Sequence, residues 1–319
     1  MKATPRVFKR LACLLALMAC LFPTFLEGRD ERFLIELYGG TSSLSAKDLN
    51  LFSEAEQQYN DIYFIQRLRW MPGYFTNDFP KIKWVLPVGL RGKYRLSSAF
   101  SLSLGWEGFT STREESIEGT FSYTYNNGLT ESHTRAYDPY RFKLSGYTLL
   151  GGIHYRLPVG TATNLELGAA AGYASARFEF SSTWSQAIAY PYPGFPISSL
   201  DTGILEGDGK GDGFAARAML QLDHSFSRRF GIFIETAYTY CRLSALEGSG
   251  REVRSGIPGE NTWQGTWAIK KEEITVPWGS ATVLVPANYC DGWITAQKER
   301  DFTLDLSRVH FVLGIQIKF

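Results

Sequence analysis

Residues Val309 to Phe319 read VHFVLGIQIKF. The odd positions, Val309, Phe311, Leu313, Ile315, Ile317 and Phe319, are all apolar. The even positions, His310, Val312, Gly314, Gln316 and Lys318, are polar or small with one exception. Side chains alternate faces along a strand, so the stretch predicts an eleven-residue strand with one wholly apolar face. About 9–11 tilted residues carry a strand across a bilayer. The pattern therefore predicts a membrane-crossing strand that ends on an aromatic.

The opposite end of the chain fits an exported protein. Lys2, Arg6, Lys9 and Arg10 precede the apolar run Leu11–Phe25, which is shorter than the roughly 20 residues of a spanning helix. A basic flank before a short apolar run reads as a secretory signal peptide over residues 1–28, leaving 29–319 as one domain. Leu17-Met18-Ala19-Cys20 also loosely fits a lipidation motif at Cys20. Only helices and closed barrels satisfy their backbone in lipid, so a membrane location here requires a barrel. With 33 Lys+Arg against 32 Asp+Glu, the chain lacks the basic excess of a nucleic-acid binder. Cys13 and Cys20 lie in the signal segment. Cys241 and Cys290 remain, an even pair that predicts a disulfide in an oxidising compartment, the alternative being two thiols.

Seven further segments alternate in the same way: Arg32–Gly40, Ile82–Leu96, Phe100–Glu107, Tyr147–Leu157, Asn164–Tyr173, Phe214–Asp223 and Phe230–Tyr240. Tight turns fall at Ser97-Ser98, Pro158–Thr161 and Ser227-Arg228, and the other connections are long. Short turns alternating with long loops are the transmembrane-barrel pattern. The predicted fold is all-β: an antiparallel up-and-down transmembrane barrel of eight strands, with short periplasmic turns, long extracellular loops and both termini periplasmic. Ten strands is the alternative, Thr262–Lys271 and Ser280–Pro286 supplying the extra pair. Aromatics at the strand ends read as the two interface girdles.

Several of these strands carry more than a pattern: Glu36-Leu37-Tyr38-Gly39-Gly40, Leu149-Leu150-Gly151-Gly152, Ala169-Ala170-Ala171-Gly172-Tyr173 and the terminal Ile315–Phe319. Here the chain resembles the small outer-membrane barrels, the OmpA membrane-domain, OmpX and opacity-protein group. The resemblance covers the strands and not the loops. It implies the outer membrane of a Gram-negative-type bacterium, with membrane lipid and lipopolysaccharide as surroundings. It also implies that the barrel-assembly machinery reads the strand ending at Phe319. The group's roles run from adhesion and immune evasion to wall anchoring and narrow pores, and fold alone does not choose among them.

Candidate sites follow from the faces. The polar face carries Glu36, Glu107, Glu166, Asp223 and Glu235 against Arg91, Lys93, Arg156, Arg217 and Arg308. An eight-stranded lumen has room for little beyond its own side chains, and buried charges need partners. The ten charges therefore predict a paired network plugging the barrel; a gated polar path is the rival reading. No catalytic set is expected. Asp223 and His224 are adjacent and so face opposite ways, and His133 has no evident partner. Glu206-Gly-Asp-Gly-Lys-Gly-Asp212 has calcium-loop character, but Lys210 sits where an oxygen is wanted. It reads better as a glycine-rich hinge; no metal and no cofactor is expected. Asn126-Asn127-Gly128 predicts a hairpin that extends two strands upward. Residues around Ser53–Tyr59 predict a helix. Tyr190, Tyr192, Phe195, Trp263, Trp267, Trp278 and Trp293 give the long loops an aromatic content foreign to disorder. They predict a folded cap that binds an extracellular glycan or protein, or else the cap's own core. The functional expectation is a non-catalytic surface-binding or envelope-structural barrel. The alternatives are a narrow channel for small or apolar solutes and an outer-rim hydrolase.

Overall fold

The computed structural model describes residues 32–319 except 62–63, 65–67, 70, 77, 193–194, 256–258, 277–278 and 290–297. Among these the chain forms, in order, β1 (Phe33–Leu44), helix α1 (Lys47–Asn60), β2 (Gly73–Phe75), β3 (Trp84–Arg95), β4 (Phe100–Thr124), β5 (Thr130–Pro158) and β6 (Thr163–Tyr192). These are followed by β7 (Phe195–Ser225), β8 (Phe230–Ser244), β9 (Glu247–Arg254), β10 (Glu260–Val276), β11 (Gly279–Tyr289), β12 (Lys298–Asp301), β13 (Thr303–Asp305) and β14 (Arg308–Lys318). The expected signal segment, residues 1–28, lies outside the described residues, as does the lipidation candidate Cys20.

Eight strands close a ring in the order β1-β3-β4-β5-β6-β7-β8-β14, every pair antiparallel. The last strand closes it through eleven pairs, from Leu34 with Lys318 to Leu44 with Arg308. The alternation read from the sequence sets the faces. Phe311, Leu313 and Ile315 point outward and are exposed, whereas His310, Val312 and Gln316 are buried. Tyr94, Phe100, Tyr155, Phe230 and Phe319 form an exposed aromatic ring at the turn end; Trp84, Tyr147, Tyr173, Phe214 and Tyr238 form a second one above it. Ten residues separate Tyr94 from Trp84. At about 3.3 Å per residue and a 45° tilt, that gives a band roughly 23 Å tall, the height of a transmembrane barrel's apolar belt.

The ring has a low half and a tall half. β1, β3, β8 and β14 have 12, 12, 15 and 11 residues. β4, β5, β6 and β7 have 25, 29, 30 and 31. The tall strands stand beyond the upper girdle as one sheet, widened when β9 pairs with β7, β10 with β9, and β11 with β10. The Asn126-Asn127-Gly128 hairpin forms as expected, with Gly128 at φ 80°. Two expectations are corrected. The third long loop is not a loop: β6 and β7 pair continuously from Thr163↔His224 to Tyr192↔Phe195. Glu206–Asp212 is therefore mid-strand and neither a hinge nor a cation loop. The ten-strand alternative also fails, because β10 and β11 form but join the upper sheet rather than the ring.

The tall sheet would expose its inner face above the low half. Helix α1 covers it. Phe52 sits among Phe142, Phe178, Phe180, Trp267 and Phe302, with ring centroids 4.8–6.1 Å away. The helix spans Lys47–Asn60, longer than the sequence pattern indicated. It is held by side-chain bonds rather than by a cap: Ser53 Oγ donates to Pro80 O (2.5 Å), Asn50 bridges to both backbone groups of Ile82, and Asp48 receives Arg300.

Candidate functional site

Inside the membrane band the side chains of the ring's inner face meet. Glu36 is fully buried and accepts from Arg91 Nε (2.5 Å), Lys93 Nζ (2.8 Å), Gln221 Nε2 (2.9 Å) and Gln316 Nε2 (2.8 Å). Arg91 also donates to Glu235 (2.6 Å), Lys93 to Glu166 (2.6 Å), and Arg156 to Glu166 (3.1 Å). A second cluster lies toward the upper end. There Glu107 takes Arg217 and Arg308, each at 2.7 Å. Arg217 Nε donates to Thr239, whose hydroxyl meets His310 Nε2 at 2.8 Å, and Ser42 meets His310 Nδ1 at 3.0 Å. The arginines also stack: Arg91 lies 5.5 Å from the Tyr38 ring and 5.9 Å from Phe233, and Arg308 lies 4.8 Å from Phe109.

Nine of the ten expected charges thus enter ion pairs. Asp223 is the tenth: it is buried, and Asn164 Nδ2 donates to it at 3.1 Å. Gln221, Gln316, His310 and Met219 belong to the same network, and sequence reasoning did not assign them to it. Their shared parity with the charged residues was the available signal. A gap beside Tyr38, Glu107, Thr148, Arg217 and Met219 has a volume of about 10 Å³, room for about one water. Glu107 Oε2 and Thr148 Oγ1 have no protein hydrogen-bond partner there. His224 faces out, opposite Asp223, and bonds Thr163.

The loop aromatics separate into different environments. Trp267 is buried, and its Nε1 donates to Asp208 O at 2.8 Å. This corrects its place on a binding surface: it is core, because Gly248 opposite leaves room for the indole. Trp263 is half-buried. Tyr190, Tyr192 and Phe195 lie at the β6–β7 hairpin end, where Tyr192 pairs with Phe195. Trp278 and Trp293 lie outside the described residues, and so does Cys290, hence also its bridge to Cys241; Cys241 itself is a buried thiol. Tyr123 and Tyr125, not singled out from the sequence, are exposed beside the β4–β5 turn with ring centroids 4.8 Å apart. Below them, Tyr137 donates to Glu56 at 2.7 Å. Burial first, then the Glu56 carboxylate, holds the phenols of Tyr137 and Tyr140 well above the usual tyrosine range. His133 is buried against Phe121 (4.5 Å, stacked) and contacts Glu131, as part of the hairpin's packing.

An apolar outer belt between aromatic girdles, a polar sealed interior and an eight-stranded closed ring define a class by architecture: an antiparallel transmembrane-type β-barrel, apolar outside and polar inside. The sequence matches no protein-family model and no curated protein. Among solved structures the chain is similar to Neisserial surface protein A, at 8% identity over 92% of this chain and 100% of that one, TM-score 0.32. It is similar also to Ail, the attachment invasion locus protein of Yersinia pestis, in complex with the heparin analogue sucrose octasulfate, at 9% identity over 90% and 99%, TM-score 0.32. The Pseudomonas putida toluene transporter TodX matches at 8% identity over 91% and 90%, TM-score 0.17. None of these scores decides an activity.

Proposed function

We propose that this is a non-catalytic surface protein: a plugged anchor in the outer membrane that raises a binding sheet outside the cell. In this reading residues 1–28 are removed on export, the assembly machinery reads the strand ending at Phe319, and both termini are periplasmic. The observation that carries it is the height of β4–β7. Strands of 25–31 residues far exceed the 9–11 that a membrane needs. The excess is folded and capped by α1 with its own aromatic core. Exposed Tyr123 and Tyr125 at one hairpin end, next to the β6–β7 hairpin carrying Tyr190 and Tyr192, offer flat aromatic contact area suited to a glycan or a protein partner. The channel reading has less support, since the ion pairs fill the lumen and α1 fills the space above it.

Two measurements test the proposal. Purified protein in planar bilayers gives no reproducible conductance steps; regular steps would overturn the plugged anchor. Cells displaying the protein are profiled on glycan and matrix-protein arrays, and Tyr123→Ala/Tyr125→Ala removes the signal while leaving surface display intact. Unchanged binding by that variant would remove the hairpin tip from the site.

A further inference from the structure

A second surface lies on the outer flank of the tall sheet, away from both the lumen and the hairpin tips. Above the upper girdle the two-residue period continues. In β5, Phe142 and Leu144 face the core, so Arg141, Lys143 and Ser145 face out. In β7, glycines alternate with Glu206, Asp208, Lys210 and Asp212 on the outward face. The ladder pairs set these side chains in rows across the sheet. One row reads Glu114 on β4, Arg141 on β5, Ser181 on β6, Glu206 on β7 and Arg251 on β9. The signs invert about β6. Arg141 and Glu206 flank the neutral Ser181, and beyond them Glu114 and Arg251 are again opposite. Over this stretch the outward side chains of β5 are two cations and a serine, and those of β7 are three carboxylates and one lysine. That lysine, Lys210, shares its row with Ser145 and so has no cation as its counterpart.

Within one chain these charges already pair along the rows. Arg141 meets Glu114 (2.8 Å), Lys143 meets Glu179 (2.7 Å), Arg177 meets Asp208 (2.8 Å) and Arg251 meets Glu206 (2.7 Å). The pairs are largely in water, where each contributes little, and a carboxylate has acceptor sites for a second cation. The sign pattern says which surface would supply it. An interface between identical copies is isologous, so residue i of one meets residue j of the other and j meets i. Two barrels in one membrane stand the same way up, so a two-fold axis relating them runs along the membrane normal. Such an axis keeps height and exchanges left with right. A face that pairs with itself in this way needs opposite charges on the two sides of the axis. The row through Ser181 has them. With the axis there, cationic β5 of one copy lies over acidic β7 of the other, and the reverse contact forms at the same time. The length of arginine and lysine side chains takes up the offset that strand tilt introduces. Arg177 and Glu179, lower on β6, meet at 3.4 Å and neutralise each other.

We infer that this flank is a self-association surface: two copies of the chain stand side by side in the membrane and pair their tall sheets face to face about an axis at Ser181. The inference rests on the proposed membrane placement, and it holds whichever end of the barrel is outside. That placement is checked separately by carbonate extraction of the membrane fraction; release of the chain would refute the placement, whatever the cross-linking below shows.

The self-association is tested with the full-length processed protein in its native membrane, in a Cys241→Ala/Cys290→Ala background so that only an introduced thiol reacts. Ser181→Cys, on the axis, gives a disulfide-linked dimer on mild oxidation. Ser43→Cys, which faces out on β1 beside exposed Trp84 at the rim of the low half, does not. Arg141→Glu/Lys143→Glu makes β5 acidic like β7, and like charges then face each other across the axis. The Ser181→Cys dimer falls at least about tenfold. Glu206→Lys/Asp208→Lys makes both strands cationic and has the same effect. Mixed in one membrane, the two reversed chains cross-link with each other, because the acidic β5 of one meets the cationic β7 of the other. Equal cross-linking from Ser181→Cys and Ser43→Cys, an undiminished dimer in either reversed variant, or no recovery in the mixture would overturn the inference. Each variant is checked for the gel-mobility shift of the folded barrel, so that loss of fold is not read as loss of contact.

Discussion

Glu36→Ala is the sharpest perturbation of the lumen. The side chain is fully buried and takes two cations and two amides, at 2.5–2.9 Å. Its removal leaves Arg91 on Glu235 and Lys93 on Glu166, each at 2.6 Å, so neither cation is stripped bare. The network nonetheless holds one excess positive charge away from water, and two amide donors lose their acceptor. Breaking one partner of a buried ionic cluster costs about 3–5 kcal/mol. Glu36→Gln fares little better, since one amide oxygen cannot serve four donors. Reversible urea unfolding of the barrel in lipid vesicles, followed by tryptophan fluorescence, reads the change. Glu36→Met/Lys93→Met restores charge balance, with Arg91 on Glu235 and Arg156 on Glu166, and recovers most of the loss, because well-packed apolar replacements of buried pairs are often neutral. A loss under about 1 kcal/mol for Glu36→Ala, the size of an exposed pair, would refute the water-excluded network. So would a double variant no more stable than the single one.

Three other outcomes follow from the geometry. Phe52→Ala removes the ring at the centre of the upper core and lowers stability by about 3 kcal/mol. Limited proteolysis then cuts near α1 while the membrane ring keeps its gel mobility; an uncut variant would sink the capping role of the helix. Gly89→Ala places a methyl 2.2 Å from the Tyr38 ring, a clash within the closed wall, and folding yield in detergent drops; normal yield would show that the ring has room to move. Tyr137 and Tyr140 hold their protons well above the usual tyrosine range. In the unfolded chain they ionise near pH 10, so their contribution is fully present below that pH and declines as pH rises beyond it. Alkaline spectrophotometric titration shows at least two phenols that ionise only with unfolding; full titration of all tyrosines near pH 10 in folded protein would contradict this.

The membrane ring was legible in the sequence because lipid outside and charge inside leave each strand a strict two-residue period. Even the inward charges came from parity alone, since a strand offers only two faces. The tall half was harder to read. Glu206-Gly-Asp-Gly-Lys-Gly-Asp-Gly213 does have a two-residue period, charge out and glycine in. It lacks the apolar residues by which strands are usually recognised. The structure gives the reason: Phe180 lies over Gly207 and Phe178 over Gly209, so the apolar bulk for that face comes from the neighbouring strand. Pro191 and Pro196 similarly disguised a paired hairpin as a loop. Trp267 could not be assigned to core or surface, because whether a loop aromatic faces in depends on a sheet the sequence pattern did not reveal. The charged outer face of the tall sheet was hidden for the same reason: its ion pairs join residues across the strands β5, β6, β7, β9 and β10.

The division into a low and a tall half has a consequence for assembly. The seam that must find its partner last joins β1 to β14, chain ends nearly 300 residues apart, and it is only eleven pairs long. The long ladders β4–β5 and β6–β7 join neighbours in sequence across hairpin ends. Each can zip from its own turn without waiting for the ring to shut. The part that rises highest therefore places no demand on the final stitch, and insertions at the hairpin tips can lengthen it without making closure slower.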